Sequence, residues 1–153
     1  MGCGRGAILL MVANLLPRGK AVGVDLWKSG DQSGNAPSAT ERNAKLERVA
    51  DHVELHTGDM RKLPFADNSF DLVLSSLAIH NIPDKAGREA AIDEAIRVVK
   101  PGGSIVIADF RKVRQYEQRL RTKGMVDVTY HVLDWHFWYG GPWTATKLVT
   151  ARK

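Results

Sequence analysis

Gly2-Cys3-Gly4-Arg5-Gly6 runs straight into the apolar stretch Ala7 to Leu16, and beyond Pro17 and Gly19 the compact run Ala21-Val22-Gly23-Val24 ends on Asp25. Three glycines in five residues let backbone approach a ligand closely and present amides at the positive start of a helix. Ala7 to Leu16 predicts that helix, with Pro17 and Gly19 ending it. The second run predicts a buried strand. Asp25 stands 19 residues beyond Gly6, at the strand's end, where a carboxylate can accept hydrogen bonds from both hydroxyls of a ribose. Loop and acid together point to a nucleoside-bearing ligand. With Ala7 the loop also satisfies the degenerate dinucleotide pattern, so it does not by itself separate a methyl donor from NAD.

Working outward, Asp31 to Pro37 reads as loop, and Ser38-x-x-Glu41 reads as a capping box opening a helix to about Val49. Val53 to His56 predicts a second strand leading into Gly58-Asp59. Asp67-Asn68-Ser69 is turn chemistry, and Phe70 to Ser75 predicts a third strand covered on both faces. Asp84 can cap the next helix, whose stripe of Ile92, Ala95, Ile96 and Val99 faces a sheet until Pro101-Gly102-Gly103 stops it. Ile105 to Ala108 predicts a fourth strand, and Arg111 to Lys123 an exposed basic helix. Val126, Val128, Tyr130 and Val132 then alternate, Gly140-Gly141-Pro142 turns, and Lys147 to Ala151 closes an antiparallel pair. The aromatic residues Trp135, Phe137, Trp138, Tyr139 and Trp143 around that turn are expected to pack in the core or on the hairpin, with a substrate-facing wall as the alternative.

Strands alternating with helices give an α/β fold with a doubly wound, mostly parallel sheet and a C-terminal antiparallel hairpin, as a single domain over 1–153. Ligands of such sheets lie at the carboxyl ends of the strands. Asp25, Asp59, Ser76 with His80, and Asp109 each closely follow a predicted strand.

Composition narrows the partners. A hydrophobic fraction of 44%, 25% charged residues and a net charge of +5 are ordinary for a soluble chain. No basic run is interleaved with stacking aromatics, so there is no strong nucleic-acid signal. Cys3 is the only cysteine, which excludes a disulfide within the chain and a cysteine-built zinc site. No metal is expected, and a reducing, cytoplasmic setting follows. The apolar run after the glycine loop is too short to span a bilayer and lacks the flanks of a signal peptide.

Several segments recur together in one known order. Gly2-Cys3-Gly4-Arg5-Gly6, Val24-Asp25, Gly58-Asp59-Met60 with Leu63-Pro64-Phe65, Phe70-Asp71-Leu72-Val73 and Val98-Val99-Lys100-Pro101-Gly102-Gly103 resemble class I S-adenosylmethionine-dependent methyltransferases over nearly the whole chain. The resemblance implies S-adenosylmethionine as cofactor. It implies that Gly2, Cys3, Gly4 and Gly6 cradle the donor's methionine part, that Asp25 holds the ribose, and that Asp59 and Met60 flank adenine with Leu26 on its opposite face. Ser76 and Leu77 are implied near the donor's amino group.

This family places an apolar strand before the glycine loop, where the present sequence begins at Met1. The expected sheet therefore lacks its first, central strand, as in a truncated gene start or a fragment. Unless they collapse together, the neighbouring strands are then expected about two sheet spacings apart, roughly 9 to 10 Å. Methyl transfer demands alignment and exclusion of water more than catalytic side chains. His80 is the best-placed candidate for a general base, against a histidine that only fastens the following loop. A small-molecule acceptor is expected, because Ser75-Ser76-Leu77-Ala78 lacks the Asn/Asp-Pro-Pro-aromatic motif of amino-group methylases. An NAD(P)-dependent oxidoreductase and a non-catalytic relative are the alternatives.

Overall fold

The computed structural model describes residues 1–16, 18–28, 30, 33–138 and 141–153, with Pro142 described by its backbone alone. Pro17, two residues of the loop from Asp31 to Pro37, and Tyr139-Gly140 of the aromatic segment and its turn lie outside the described residues. The chain divides into two units, Met1–Met60 and Arg61–Lys153.

In the first unit, α1 (Ala7–Leu15) leads to β1 (Ala21–Asp25), α2 (Pro37–Leu46) and β2 (Val53–Thr57). β1 and β2 pair in parallel from Ala21 opposite Val53 to Asp25 opposite Thr57. Leu9, Leu10 and Ala13 of α1 meet Ala21, Ala44 and Val49 in one apolar cluster, with Cys3, Val53 and Leu55 packed against it. Helical spacing puts the three α1 residues on one face, and removing that face from water is what holds so short a helix. Gly23 lets α1 and the loop sit close on β1, because a Cβ there would come 2.7 Å from a Leu9 methyl and 2.9 Å from the Cys3 sulfur and push both aside. The start of α2 departs from the expected capping box. Pro37 occupies the first turn behind an Ala36 cap that makes no side-chain bond. Proline's fixed φ starts a helix without needing an amide donor, so Ser38 is already inside.

The second unit carries β3 (Phe70–Ser76), α3 (Lys85–Val98), β4 (Val99–Asp109), α4 (Val113–Thr122), β5 (Val126–Val132) and β6 (Lys147–Arg152). Its sheet order is β3-β4-β6-β5, with β3 parallel to β4 and β6 antiparallel to both β4 and β5. Among the described residues the strands thus pair as two sheets, β1-β2 in the first unit and β3-β4-β6-β5 in the second. Asp84 caps α3 as expected, accepting from the Gly87 amide at 2.6 Å. α3 ends at Val98, before Pro101-Gly102-Gly103 is reached, so Val99, expected on the helix stripe, opens β4 and the proline and glycines lie within that strand. Phe70 faces Val99 while Leu72 faces Ser104, so the proline and glycines form a bulge. Gly103 admits no side chain, since a Cβ would stand 2.8 Å from the Asp71 carbonyl and 2.9 Å from that of Lys100.

α4 is exposed only on one side. Val113, Tyr116 and Leu120 are buried, and its cations are matched by acids: Arg119 and Lys123 meet Asp93 at 2.6 and 3.0 Å, and Arg114 and Arg121 meet Glu117. The aromatic segment is a correction. Trp135 is 67% and Trp143 83% exposed, with Phe137 and Trp138 also exposed; they stand on the β5–β6 connection, beyond the sheet whose inner face is filled by Ile105, Ile107 and Val149. No helix among the described residues is long and apolar enough to cross a membrane.

Candidate functional site

Asp25 ties the glycine loop to the carboxyl end of β1. Its Oδ2 accepts from the Gly4 amide at 2.8 Å, and its Oδ1 accepts from the Trp27 amide at 2.7 Å and from Asn35 Nδ2 at 3.2 Å. The amides of Gly2 and Cys3 donate to the Val24 carbonyl, at 2.8 and 3.2 Å, and Gly6 donates to the Cys3 carbonyl. From the other side α2 fastens the same loop: the Thr40 hydroxyl donates to the Gly4 carbonyl at 2.8 Å and Asn43 Nδ2 to that of Arg5 at 2.9 Å. Gly2, Gly4 and Gly6 all have positive φ, which an L side chain resists. At Gly6 a Cβ would also lie 2.8 Å from Thr40 Cγ2.

The loop amides at Gly2, Cys3, Gly4 and Gly6 therefore serve the chain itself. The donors left for a ligand are the first amides of α1, which no side chain caps. Burial pushes the Cys3 thiol up to about 11, so this sulfur is an apolar wall of the loop rather than a nucleophile.

Asn35, which sequence reasoning treated only as loop, is 8% exposed. Its Oδ1 has no hydrogen-bond partner among the described residues, although its Nδ2 is fixed on Asp25. A buried acceptor without a donor is costly by about 1–3 kcal/mol. Here it lies on the side chain whose Nδ2 is fixed on Asp25, the carboxylate the sequence expects at a ribose. Trp27 was likewise missed. Its φ is 56°, and its indole Nε1 donates to Thr57 Oγ1 at 2.9 Å, which sets an aromatic ring across the ends of β1 and β2. Leu26 is 43% exposed. The Gly58 amide donates to the Asp25 carbonyl at 3.0 Å, so the segment bearing Asp59 and Met60, both half-buried, starts from the same strand end. The loop, Asp25, Asn35 and Gly58 are thus brought together within the first unit.

Ser76, Leu77 and His80 belong to the second unit, at the carboxyl end of β3. Leu77 has φ 52° and donates its amide to the Ala108 carbonyl at 2.9 Å. Ser75 behind it is buried, and its hydroxyl lacks a partner among the described residues. His80 Nδ1 lies 2.8 Å from Oδ1 of Asp109, a fully buried residue at the end of β4. That approach is bent away from a linear hydrogen bond, so we read it as a close charge–dipole contact. Asp109 also accepts from the His80 amide at 3.2 Å and the Phe110 amide at 2.8 Å. Burial pushes the Asp109 carboxyl up from its ordinary value, against the attraction of His80 and those amides. The sequence marked Asp109 only as a strand-end acid.

Comparison with known proteins places this geometry. Residues 1–107 match the family model described as a methyltransferase domain. A demethylmenaquinone methyltransferase of Lactiplantibacillus plantarum is 35% identical over 105 residues, covering 68% of this chain and 40% of that protein. One from Desulfitobacterium hafniense is 35% identical over 111 residues, covering 72% and 40%. The chain thus spans about two fifths of the length of these curated relatives. Among solved structures, a SAM-dependent methyltransferase from Methanosarcina mazei aligns with a TM-score of 0.77 at 19% identity, covering 99% of this chain and 89% of that one. The cyclase SpnF aligns with a TM-score of 0.75 at 19% identity, over 99% and 72%. At such identities the likeness is one of fold, and the cyclase shows that this fold hosts other reactions. With the family model covering the glycine loop, Asp25, Asp59 and His80 alike, the chain belongs to the methyltransferase domain family, whose methyl donor is S-adenosylmethionine.

Proposed function

We propose that this chain transfers a methyl group from S-adenosylmethionine to a small organic acceptor, the quinone class named for its relatives included. The observation that carries the reading is the knot at Asp25. One carboxylate holds the glycine loop through Gly4 and holds Asn35, at the end of β1 from which the Asp59 segment also starts. The donor molecule supplies an electrophilic methyl group on a sulfonium. The chain's own residues supply the rest: Asp25 and Asn35 accept from ribose hydroxyls, Gly2 to Gly6 with Cys3 admit the methionine part against bare backbone, Trp27, Leu26 and Met60 give the adenine apolar surface, and Asp59 accepts from its amine. Ser76 and Leu77 stand for the donor's amino group, and His80 takes the acceptor's proton. A single domain in a reducing, cytoplasmic setting suits a chain whose lone cysteine, Cys3, is half-buried and free.

Isothermal titration with S-adenosylmethionine, its demethylated product and NADH in parallel tests this reading. We expect the first two to bind and Asp25→Ala to weaken them by about tenfold or more, as loss of a charged hydrogen-bond partner of about 1.5–3 kcal/mol implies. Binding of NADH alone would replace the methyltransferase by an oxidoreductase.

A further inference from the structure

His80 and Asp109 stand at the ends of the neighbouring parallel strands β3 and β4, and their surroundings say more than that a histidine fastens a loop. Asp109 is fully buried. Its Oδ2 takes the His80 backbone amide and its Oδ1 the Phe110 amide, while the imidazole Nδ1 lies 2.8 Å from Oδ1. The Arg111 amide also donates to the carboxylate. The Tyr116 hydroxyl of α4 is buried and makes no hydrogen bond among the described residues, and burial, followed by the charge of the same carboxylate, raises its pKa. Arg88 of α3 clamps the loop after His80, donating to the carbonyls of Ile82 and Pro83 at 2.7 and 2.8 Å. The imidazole is tilted against Phe110 with ring centroids 4.5 Å apart. Position, tilt and one ring nitrogen of His80 are therefore all set by the end of β4.

We infer that Asp109 is the positioning residue of His80, holding it as the Nδ1–H tautomer so that Nε2 is left bare to deprotonate an acceptor hydroxyl. The inference rests on the reading of His80 as the base, and it deepens that reading by naming the substrate class: an acceptor methylated on an ionisable O–H. The acceptor's O–H bond breaks and its proton passes to Nε2. The oxygen's electron pair forms the new C–O bond as the C–S bond breaks, and that pair leaves with sulfur as a neutral thioether. Asp109 faces the resulting imidazolium across Nδ1, the part an orienting carboxylate plays beside a histidine base. The bent contact is no obstacle, because such bonds commonly tighten only when substrate is bound.

The backbone amides around Asp109 can only donate, so an amide in its place must aim its NH2 away from them, at the imidazole Nδ1 or the Tyr116 hydroxyl oxygen. Asp109→Asn is therefore expected to invert the tautomer and leave Nε2 protonated, whereas Asp109→Glu keeps an acceptor there and Tyr116→Phe leaves the carboxylate in place. Long-range 1H–15N correlation spectra of the 15N-histidine-labelled protein read this without any acceptor. We expect neutral His80 to be mainly Nδ1–H in the wild type, in Tyr116→Phe and in Asp109→Glu, and mainly Nε2–H in Asp109→Asn. A hydroxyl acceptor, once found, should be methylated on the order of 100-fold more slowly by Asp109→Asn with donor affinity unchanged. An Nε2–H tautomer in the wild type overturns the inference, and that measurement stands even if Asp109→Asn fails to fold. An unchanged tautomer in a folded Asp109→Asn also overturns it. Failure of S-adenosylmethionine to bind would instead undo the donor reading while leaving the tautomer as found, so the two failures are told apart.

Discussion

Asp25→Asn is the sharpest probe of the first unit, because it keeps the shape of the side chain and removes one acceptor. Oδ1 receives two donors, from Trp27 and Asn35, and Oδ2 receives one, from Gly4. An asparagine keeps most bonds by turning its oxygen towards Trp27 and Asn35, which points its NH2 at the Gly4 amide. Gly4 then loses its acceptor, and two donors face each other. An unsatisfied, partly buried amide costs about 1–3 kcal/mol, and taking about 2 kcal/mol, the melting temperature should fall by roughly 4–8 °C for a chain of this size. Because Gly4 anchors the loop, affinity for S-adenosylmethionine should fall as well, by about tenfold to a hundredfold for a further 1.4–2.8 kcal/mol. Scanning calorimetry and isothermal titration on the same preparations measure both. A variant that melts with the wild type and binds the donor equally would refute the idea that one carboxylate holds loop and ligand together.

Three further outcomes follow from particular contacts. Gly103→Ala drives a Cβ into the carbonyls of Asp71 and Lys100 and should lose about 1–3 kcal/mol in urea unfolding, whereas Gly30→Ala, with nothing within 4 Å, should stay within about 0.5 kcal/mol; equal losses would mean that the β4 bulge is not tight. Cys3, with its thiol at about 11 against an ordinary 9.0, should react with a disulfide reagent at pH 8 about 100-fold more slowly folded than in urea, and equal rates would place it outside the loop wall. Arg97 bonds Glu94 at 2.7 Å and also reaches Asp67 and the carbonyls of Leu63 and Phe65, and its bond to Glu94 is the main cause holding that carboxyl below 4.5. A depressed acid stabilises the fold above its unfolded value and loses that contribution as pH falls through the folded one. Arg97→Met should therefore lower the melting temperature at pH 7 and do so less at pH 3, and a deficit that is the same at both values would show the pairing to be irrelevant.

Much of this protein was legible in one dimension because its elements are local. Ala21 to Asp25, Phe70 onward and the Asp84 cap need only short-range apolar pattern, turn residues and a capping side chain, and they fall where the sequence put them. The start of α2 did not, because proline at the first helical position competes with a capping box and wins by its fixed φ. The bulge at Pro101-Gly102-Gly103 was hidden for a different reason. Turn residues report that a helix stops, while pairing with β3 on one side and β6 on the other decides that the strand has already begun.

The sequence by itself determined the glycine loop, the acid 19 residues beyond it and the α/β alternation, since each is a matter of spacing along a chain with fixed rise per residue. Only the tertiary structure decided that Asn35 is fixed on Asp25 and that Asp109 lies under His80. It also decided that the aromatics after β5 face outward. Asn35 is 10 residues from Asp25 and Asp109 is 29 from His80, and residues so far apart meet only through strand register and loop closure. Burial and the company a polar atom keeps are properties of the packed chain, and no periodicity encodes them.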